Sequence, residues 1–259
     1  MQYGIRENLM GADTSLEEKF RRAAELRFDG IELIPREREG IHGMMAFEER
    51  GREELLRLGE EHGLAISSLS LATWREANCL TTDEAEWERG VQHLVEAIAA
   101  ATELGCAGIL LPHFGPMEPS LDDARLEPDL RGIREAVQRA GDTRIVICVE
   151  CTVDLETMQG IVETAGHPQV GIYFDIGNLR NTGHDPAAMI RELGEGVKMI
   201  HIKEAGAELV GEGDVDWDEV AAAVREIGYD GWLVFETAPT DDPMAAIRHN
   251  LAATRSYFS

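Results

Sequence analysis

Short apolar runs alternate with longer amphipathic stretches along all 259 residues. The runs have strand length, and the stretches between them carry apolar residues at helical spacing. The pattern predicts eight strands: Tyr3–Leu9, Gly30–Pro35, Ala65–Ala72, Gly108–Phe114, Arg144–Glu150, Val170–Asp175, Val197–Lys203 and Gly231–Glu236. A helix is predicted after each. The first opens at Asp13-Thr-Ser, good capping residues. The others lie near Phe47–His62, Asp83–Leu104, Leu121–Ala140, Leu155–Ala165, from Pro186, Asp216–Ile227 and Asp242–Tyr257. Strands alternating with helices imply parallel βα units. Eight units without a linker or low-complexity stretch predict one (β/α)8 TIM barrel domain over residues 1–259. A doubly wound open sheet is the alternative. It usually places a Gly-rich phosphate turn after its first strand, and Arg6-Glu-Asn-Leu-Met-Gly holds no such turn.

Charge narrows the partners. The formal net charge is −25, and lysine occurs only at Lys19, Lys198 and Lys203. Such a surface repels a phosphate backbone, so no nucleic-acid partner is expected. Acidic helix faces are usually solvated surface. No apolar run is long enough to span a bilayer and no signal segment is read at the start, so a cytoplasmic protein with no membrane partner is expected. Cys79, Cys106, Cys148 and Cys151 do not form a secreted disulfide framework. Cys148 and Cys151 make a C-x-x-C, but a zinc ribbon needs a second pair and a redox pair belongs at a helix start. Buried, reduced thiols are the simpler expectation.

The last four predicted strands each carry a metal-type ligand at or near their C-terminal ends: Glu150, Asp175, His201 and Glu236. Side chains at the C-terminal ends of barrel strands converge on one mouth. Three carboxylates and an imidazole there make a ligand set for a divalent cation. Residues i and i+2 share a strand face, so Lys203 points with His201, Cys148 with Glu150 and Tyr173 with Asp175.

These stretches resemble the xylose-isomerase-like barrels, which include metal-dependent sugar and sugar-phosphate epimerases and isomerases. The matching segments are Val149-Glu150, Phe174-Asp175-Ile-Gly-Asn178, His201-Ile-Lys203-Glu204, Gly211-Glu-Gly-Asp-Val-Asp-Trp217 and Phe235-Glu236-Thr. The L-ribulose-5-phosphate (L-xylulose-5-phosphate) 3-epimerase branch is similar in its D-I-G-N-L segment and H-x-K pair. The resemblance implies one divalent metal on Glu150, Asp175, His201 and Glu236: manganese first, with cobalt, magnesium or zinc as alternatives. It implies that Glu150 and Glu236 are the catalytic pair, on opposite faces of the substrate carbon. A metal-bound carbonyl acidifies the neighbouring proton. One carboxylate then takes that proton, a cis-enediolate forms, and the other returns a proton to the opposite face. The partner is a small sugar or sugar phosphate, and a homo-oligomer, dimer or tetramer, is expected.

Substrate contacts are expected from Lys203, Glu156, Asn178 and His113. Free-ketose epimerases often carry a histidine where this chain has Asn178 and an arginine where it has Ala207. Lys203 would replace that missing cation. Glu32 reads as a buried barrel group or a support for the ligands. Trp74 and Phe114 could wall the pocket. Arg6, Arg36, Arg75 and Arg180 lie near the mouth as phosphate candidates, and His184 reads as a loop residue. The alternative activity is a lyase or dehydratase on a keto-sugar or inosose, using the same metal. An abasic-site endonuclease would need a histidine-rich multi-metal cluster and a basic face. A non-catalytic binding barrel would need no competent metal site.

Overall fold

A computed structural model describes residues 1–11, 14–35, 45–71, 81–115, 118–238 and 240–259. Trp74, Arg36, Arg75, Cys79 and Asp13 fall outside them. Eight strands pair in parallel and in chain order: β1 (Gln2–Arg6), β2 (Gly30–Leu33), β3 (Ala65–Ser70), β4 (Gly108–Pro112), β5 (Val146–Glu150), β6 (Val170–Asp175), β7 (Val197–Ile202) and β8 (Trp232–Phe235). β8 pairs back onto β1, which closes the barrel. The helices are α1 (Leu16–Glu25), α2 (Glu49–His62), α3 (Glu84–Glu103), α4 (Leu126–Ala140), α5 (Leu155–Ala165), α6 (Ile176–Asn181), α7 (Pro186–Leu193), α8 (Trp217–Glu226) and α9 (Pro243–Tyr257). The single-domain barrel expected from the sequence is therefore the fold.

Strand alternation sorts the core into two layers. Leu110, Cys148, Tyr173, Met199, Trp232 and Val234 pack together inside the barrel. Their strand neighbours, such as Ile109, Val149, Phe174, Ile200 and Leu233, belong to the layer beneath the helices. Trp232 fills the lower interior because Gly30 yields the space. A Cβ on Gly30 would lie 2.7 Å from the Trp232 ring and 2.8 Å from the Ala65 carbonyl oxygen.

Aspartates start most of the helices. Asp83, Asp154, Asp175, Asp185, Asp216 and Asp242 each accept a first-turn N–H of α3, α5, α6, α7, α8 and α9. Such a carboxylate satisfies an orphan donor and suits the positive end of the helix dipole. Part of the acidic excess is thus capping, and exposed pairs such as Arg21–Glu18 and Arg57–Glu54 account for more. Predicted boundaries shift by a residue or two in several elements and by more in β1 and α4. β1 ends at Arg6 because Glu7–Met10 turn into a 3-10 helix. α4 starts at Leu126, while Leu121 stays 48% exposed in the preceding turn.

Candidate metal centre

Glu150 ends β5, Asp175 ends β6, His201 lies on β7 and Glu236 follows β8. Each offers one ligand atom, and all four atoms lie within 4.8 Å of one another. His201 is fully buried, and its Nδ1 faces the three carboxylates. That nitrogen lies 3.3 Å from Glu150 Oε1, 3.8 Å from Asp175 Oδ2 and 2.9 Å from Glu236 Oε2. Asp175 Oδ2 and Glu236 Oε2 are buried without a well-directed hydrogen bond. A buried carboxylate oxygen without a donor is costly. Two of them turned towards one point, beside an imidazole nitrogen, fit a divalent cation of oxygen and nitrogen preference.

The remaining atoms of these side chains are held from behind. Asp175 Oδ1 accepts the Asn178 N–H at 2.7 Å, so one residue is both helix cap and site ligand. His201 Nε2 lies 3.2 Å from Glu32 Oε1. Glu32 is fully buried, and its Oε2 accepts from Ser68 Oγ at 2.7 Å and from the Tyr173 hydroxyl at 2.9 Å. A carboxylate behind a ligand histidine fixes its tautomer and ring orientation. Glu32 therefore supports the cluster through His201. Arg6 links the two sides. Its Nη1 donates to Glu236 Oε1, its Nη2 donates to Ser70 Oγ at 2.6 Å, and its Nε sits 3.0 Å from Glu32 Oε1.

Electrostatics follow this geometry. Burial pushes the Asp175 carboxyl up to about 7, against the pull of Lys203 and with help from Glu150 and Glu236. Burial would also raise Glu236, but His201, Arg6 and Lys203 outweigh it and bring it down to about 2. Burial works against a charged His201, yet Glu32 and Glu236 raise its pKa well above the ordinary histidine value. For Arg6 burial is likewise the opposing effect, and Glu32, Glu236 and Glu150 overcome it. Burial of Asp175 and the carboxylates around His201 thus favour a proton on each when no metal is bound.

The other sequence candidates separate. Lys203 is 23% exposed and its Nζ lies 3.7 Å from Asp175 Oδ2, so it projects inward with His201. Gly177 makes room for it, since a Cβ there would lie 2.7 Å from Lys203 Cγ. Asn178 is half-buried in α6, and Glu156 is exposed in the first turn of α5. His113 is a correction. Its Nε2 meets Asp129 of α4 at 2.9 Å and its Nδ1 meets the Leu111 carbonyl at 3.2 Å. Nε2 joins the end of β4 to α4 and Nδ1 is held by the strand's own carbonyl, so both ring nitrogens are engaged within the protein. Arg180 donates to the Asp214 carbonyl. His184 meets the Thr152 carbonyl oxygen, as a loop residue would. Cys148 and Cys151 are free, buried thiols, and burial pushes Cys151 up to about 12.

Ser68 and Ser70 are supports that sequence reasoning missed, and Arg6, read there as a phosphate candidate, is engaged with Glu236, Ser70 and Glu32. The available signal was strand parity: Arg6 and Glu32 are register partners at the mouth ends of β1 and β2. Charged side chains there point inward with the ligands.

Residues 20–257 match the xylose isomerase-like TIM barrel family, and the chain belongs to it. It is 24% identical over 258 residues to the L-ribulose-5-phosphate 3-epimerase UlaE of Shigella flexneri, covering 94% of this chain and 90% of that protein. It is 28% identical over 210 residues to a ketose 3-epimerase of Arthrobacter globiformis, covering 74% and 72%. Among solved structures, D-psicose 3-epimerase in the presence of D-fructose superposes with a TM-score of 0.84 at 16% identity, covering 100% and 99%. No helix among the described residues is long and apolar enough to cross a membrane.

Proposed function

We propose that this chain is a divalent-metal-dependent 3-epimerase of a ketose or ketose phosphate. The observation that carries the proposal is the four-ligand cluster, with two buried carboxylate oxygens turned towards one point beside His201 Nδ1. The similarity to two 3-epimerases supports this reaction type. Glu150, Asp175, His201 and Glu236 would hold the metal. When bound, it would polarise a substrate carbonyl and acidify the proton on the next carbon.

The rest is the work of the side chains. Glu150 comes from β5 and Glu236 from the end of β8, on different sides of the mouth. One carboxylate accepts the proton from the substrate carbon. The other, carrying a proton, delivers it to the opposite face of the same carbon. The configuration inverts and no atom is lost. Lys203 would hold a substrate oxygen as a point-charge donor, with Asn178 and Glu156 contacting hydroxyls further along the chain.

The test is a turnover assay in D2O with the manganese-loaded protein, offered ketoses and ketose 5-phosphates. The expected product is a 3-epimer carrying solvent deuterium at the carbon next to the carbonyl. Glu150→Gln and Glu236→Gln should each lower kcat by at least ~10²-fold, the usual contribution of a positioned acid or base. A product that has lost water would assign the chain to the dehydratases instead.

A further inference from the structure

The four ligand residues are not held alike, and the difference centres on Arg6. Glu236 has one oxygen, Oε2, turned to the cluster at 2.9 Å from His201 Nδ1. Its other oxygen, Oε1, receives Arg6 Nη1. The guanidinium cannot easily swing away. Its Nη2 is bonded to Ser70 Oγ at 2.6 Å, its Nε lies 3.0 Å from Glu32 Oε1, and the side chain is only 7% exposed. Glu32 in turn lies 3.2 Å from His201 Nε2. The contacts close a ring through His201, Glu32, Arg6 and Glu236, and the ring ties β7, β2, β1 and β8 together.

A carboxylate has two oxygens and can take a cation by one or by both. In an open mouth crowded with carboxylates, a divalent ion gains by drawing in the second oxygen. Asp175 is prevented from this by the Asn178 N–H on its Oδ1. We propose that Arg6 is a positioning residue that keeps the second oxygen of Glu236 off the metal, so that a coordination position stays open for the substrate. The inference rests on the metal centre proposed above. Among the described residues, the second oxygen of Glu150 has no comparable donor, which leaves Glu150 as the ligand free to adjust as substrate enters.

Arg6 also bears a positive charge beside the cluster, so removing it favours cation binding electrostatically. A loss of activity without a loss of metal affinity is therefore the signature of positioning, and a merely structural role would not produce it. The experiment uses Mn2+ alone, without sugar. Water-proton relaxation counts the exchangeable waters on the bound ion, and a crystal structure of the Mn2+ complex shows the denticity of Glu236. Arg6→Met should bind Mn2+ at least as tightly as wild type, hold about one water fewer, and show both Glu236 oxygens on the ion. With ketose added, its KM should rise roughly tenfold or more, within the range seen when a supporting partner of a metal ligand is lost. Arg6→Lys keeps one donor for Glu236 Oε1 and should restore the water count.

Arg6→Met leaves Glu32 buried without its cation and could fail to fold. The double variant Arg6→Met/Glu32→Gln removes both charges and carries the same test. A folded double variant with the wild-type water count and a one-oxygen Glu236 overturns the proposal. So does an Arg6→Met enzyme whose water count is unchanged while KM rises only for phosphorylated sugars, because Arg6 would then contact substrate. Wild-type protein that binds no Mn2+ removes the metal centre itself, and with it any role for Arg6 towards the ion.

Discussion

Asp175 and His201 show how single residues are tuned by where the chain buries them. Both hold protons more tightly in the fold than in the open chain: Asp175 by burial, His201 by Glu32 and Glu236 acting against burial. A metal needs both deprotonated, so it competes with those protons. Affinity for Mn2+ should therefore rise as pH climbs through about 7, with protons released on binding. For the metal-free protein the sign is opposite. A carboxyl raised from 3.8 to about 7 contributes stability that is complete below the lower value and lost as pH rises through the upper. His201 acts in the same direction at higher pH. Glu236, lowered to about 2, contributes the reverse and loses its share only in acid. Calorimetric titration of Mn2+ in buffers of different ionisation enthalpy, with melting curves from pH 4 to 8, checks both signs. Affinity independent of pH between 6 and 8 would contradict the burial argument.

Elements were more legible than the contacts between them. α5 (Leu155–Ala165) and β6 (Val170–Asp175) lie where periodicity and caps place them. Strand-end position was enough to bring Glu150, Asp175, His201 and Glu236 to one mouth, because barrel strands share a direction. α6 was not legible: six residues hold too little periodicity, and the helix is started by the Asp175 carboxylate. The bond from Arg6 to Glu236 was hidden as well, since it exists only once β8 pairs with β1. His113 was readable and misassigned. It is two residues beyond Leu111, whose face belongs to the layer beneath the helices, so parity sends it towards α4. Glu204 is a further case. The sequence marks it beside Lys203, but only the fold shows its carboxylate accepting from the N–H groups of Ala205, Gly211 and Val215 and from the Trp217 indole, at 2.7–3.1 Å. This single side chain draws the loop after β7 around itself. Glu204→Gln exchanges one acceptor oxygen for a donor and leaves two of these N–H groups opposed. A cost on the order of 3 kcal/mol is expected from unsatisfied buried donors. That corresponds to a Tm lowered by roughly 6–12 °C for a chain of this size, with faster proteolytic cleavage between residues 205 and 217. A variant that melts with wild type would show that the loop is held by other contacts.

At the scale of the whole molecule, the charge of −25 bears on which substrate the mouth receives. Among the described residues, Arg6 at the mouth is paired with Glu236 and Glu32, and Lys203 Nζ lies 3.7 Å from Asp175 Oδ2. The local account is close to balance. Glu32, Glu150, Asp175 and Glu236 supply four negative charges, and Arg6, Lys203 and a divalent ion would supply four positive ones with His201 neutral. The described part of the mouth thus offers no strong net charge to an anion, and the acidic molecule as a whole repels one. The repulsion is long-ranged and is screened within about 10 Å at 0.1 M salt, whereas a neutral sugar does not feel it. Raising ionic strength from low to moderate values should therefore increase kcat/KM for a ketose phosphate severalfold and leave that for the free ketose nearly unchanged. The assay is a pair of salt titrations on the same manganese-loaded preparation. If kcat/KM for the phosphate instead falls as salt is added, a local cationic phosphate site outweighs the field of the whole molecule. The phosphorylated sugar would then be the substrate the mouth is built to draw in.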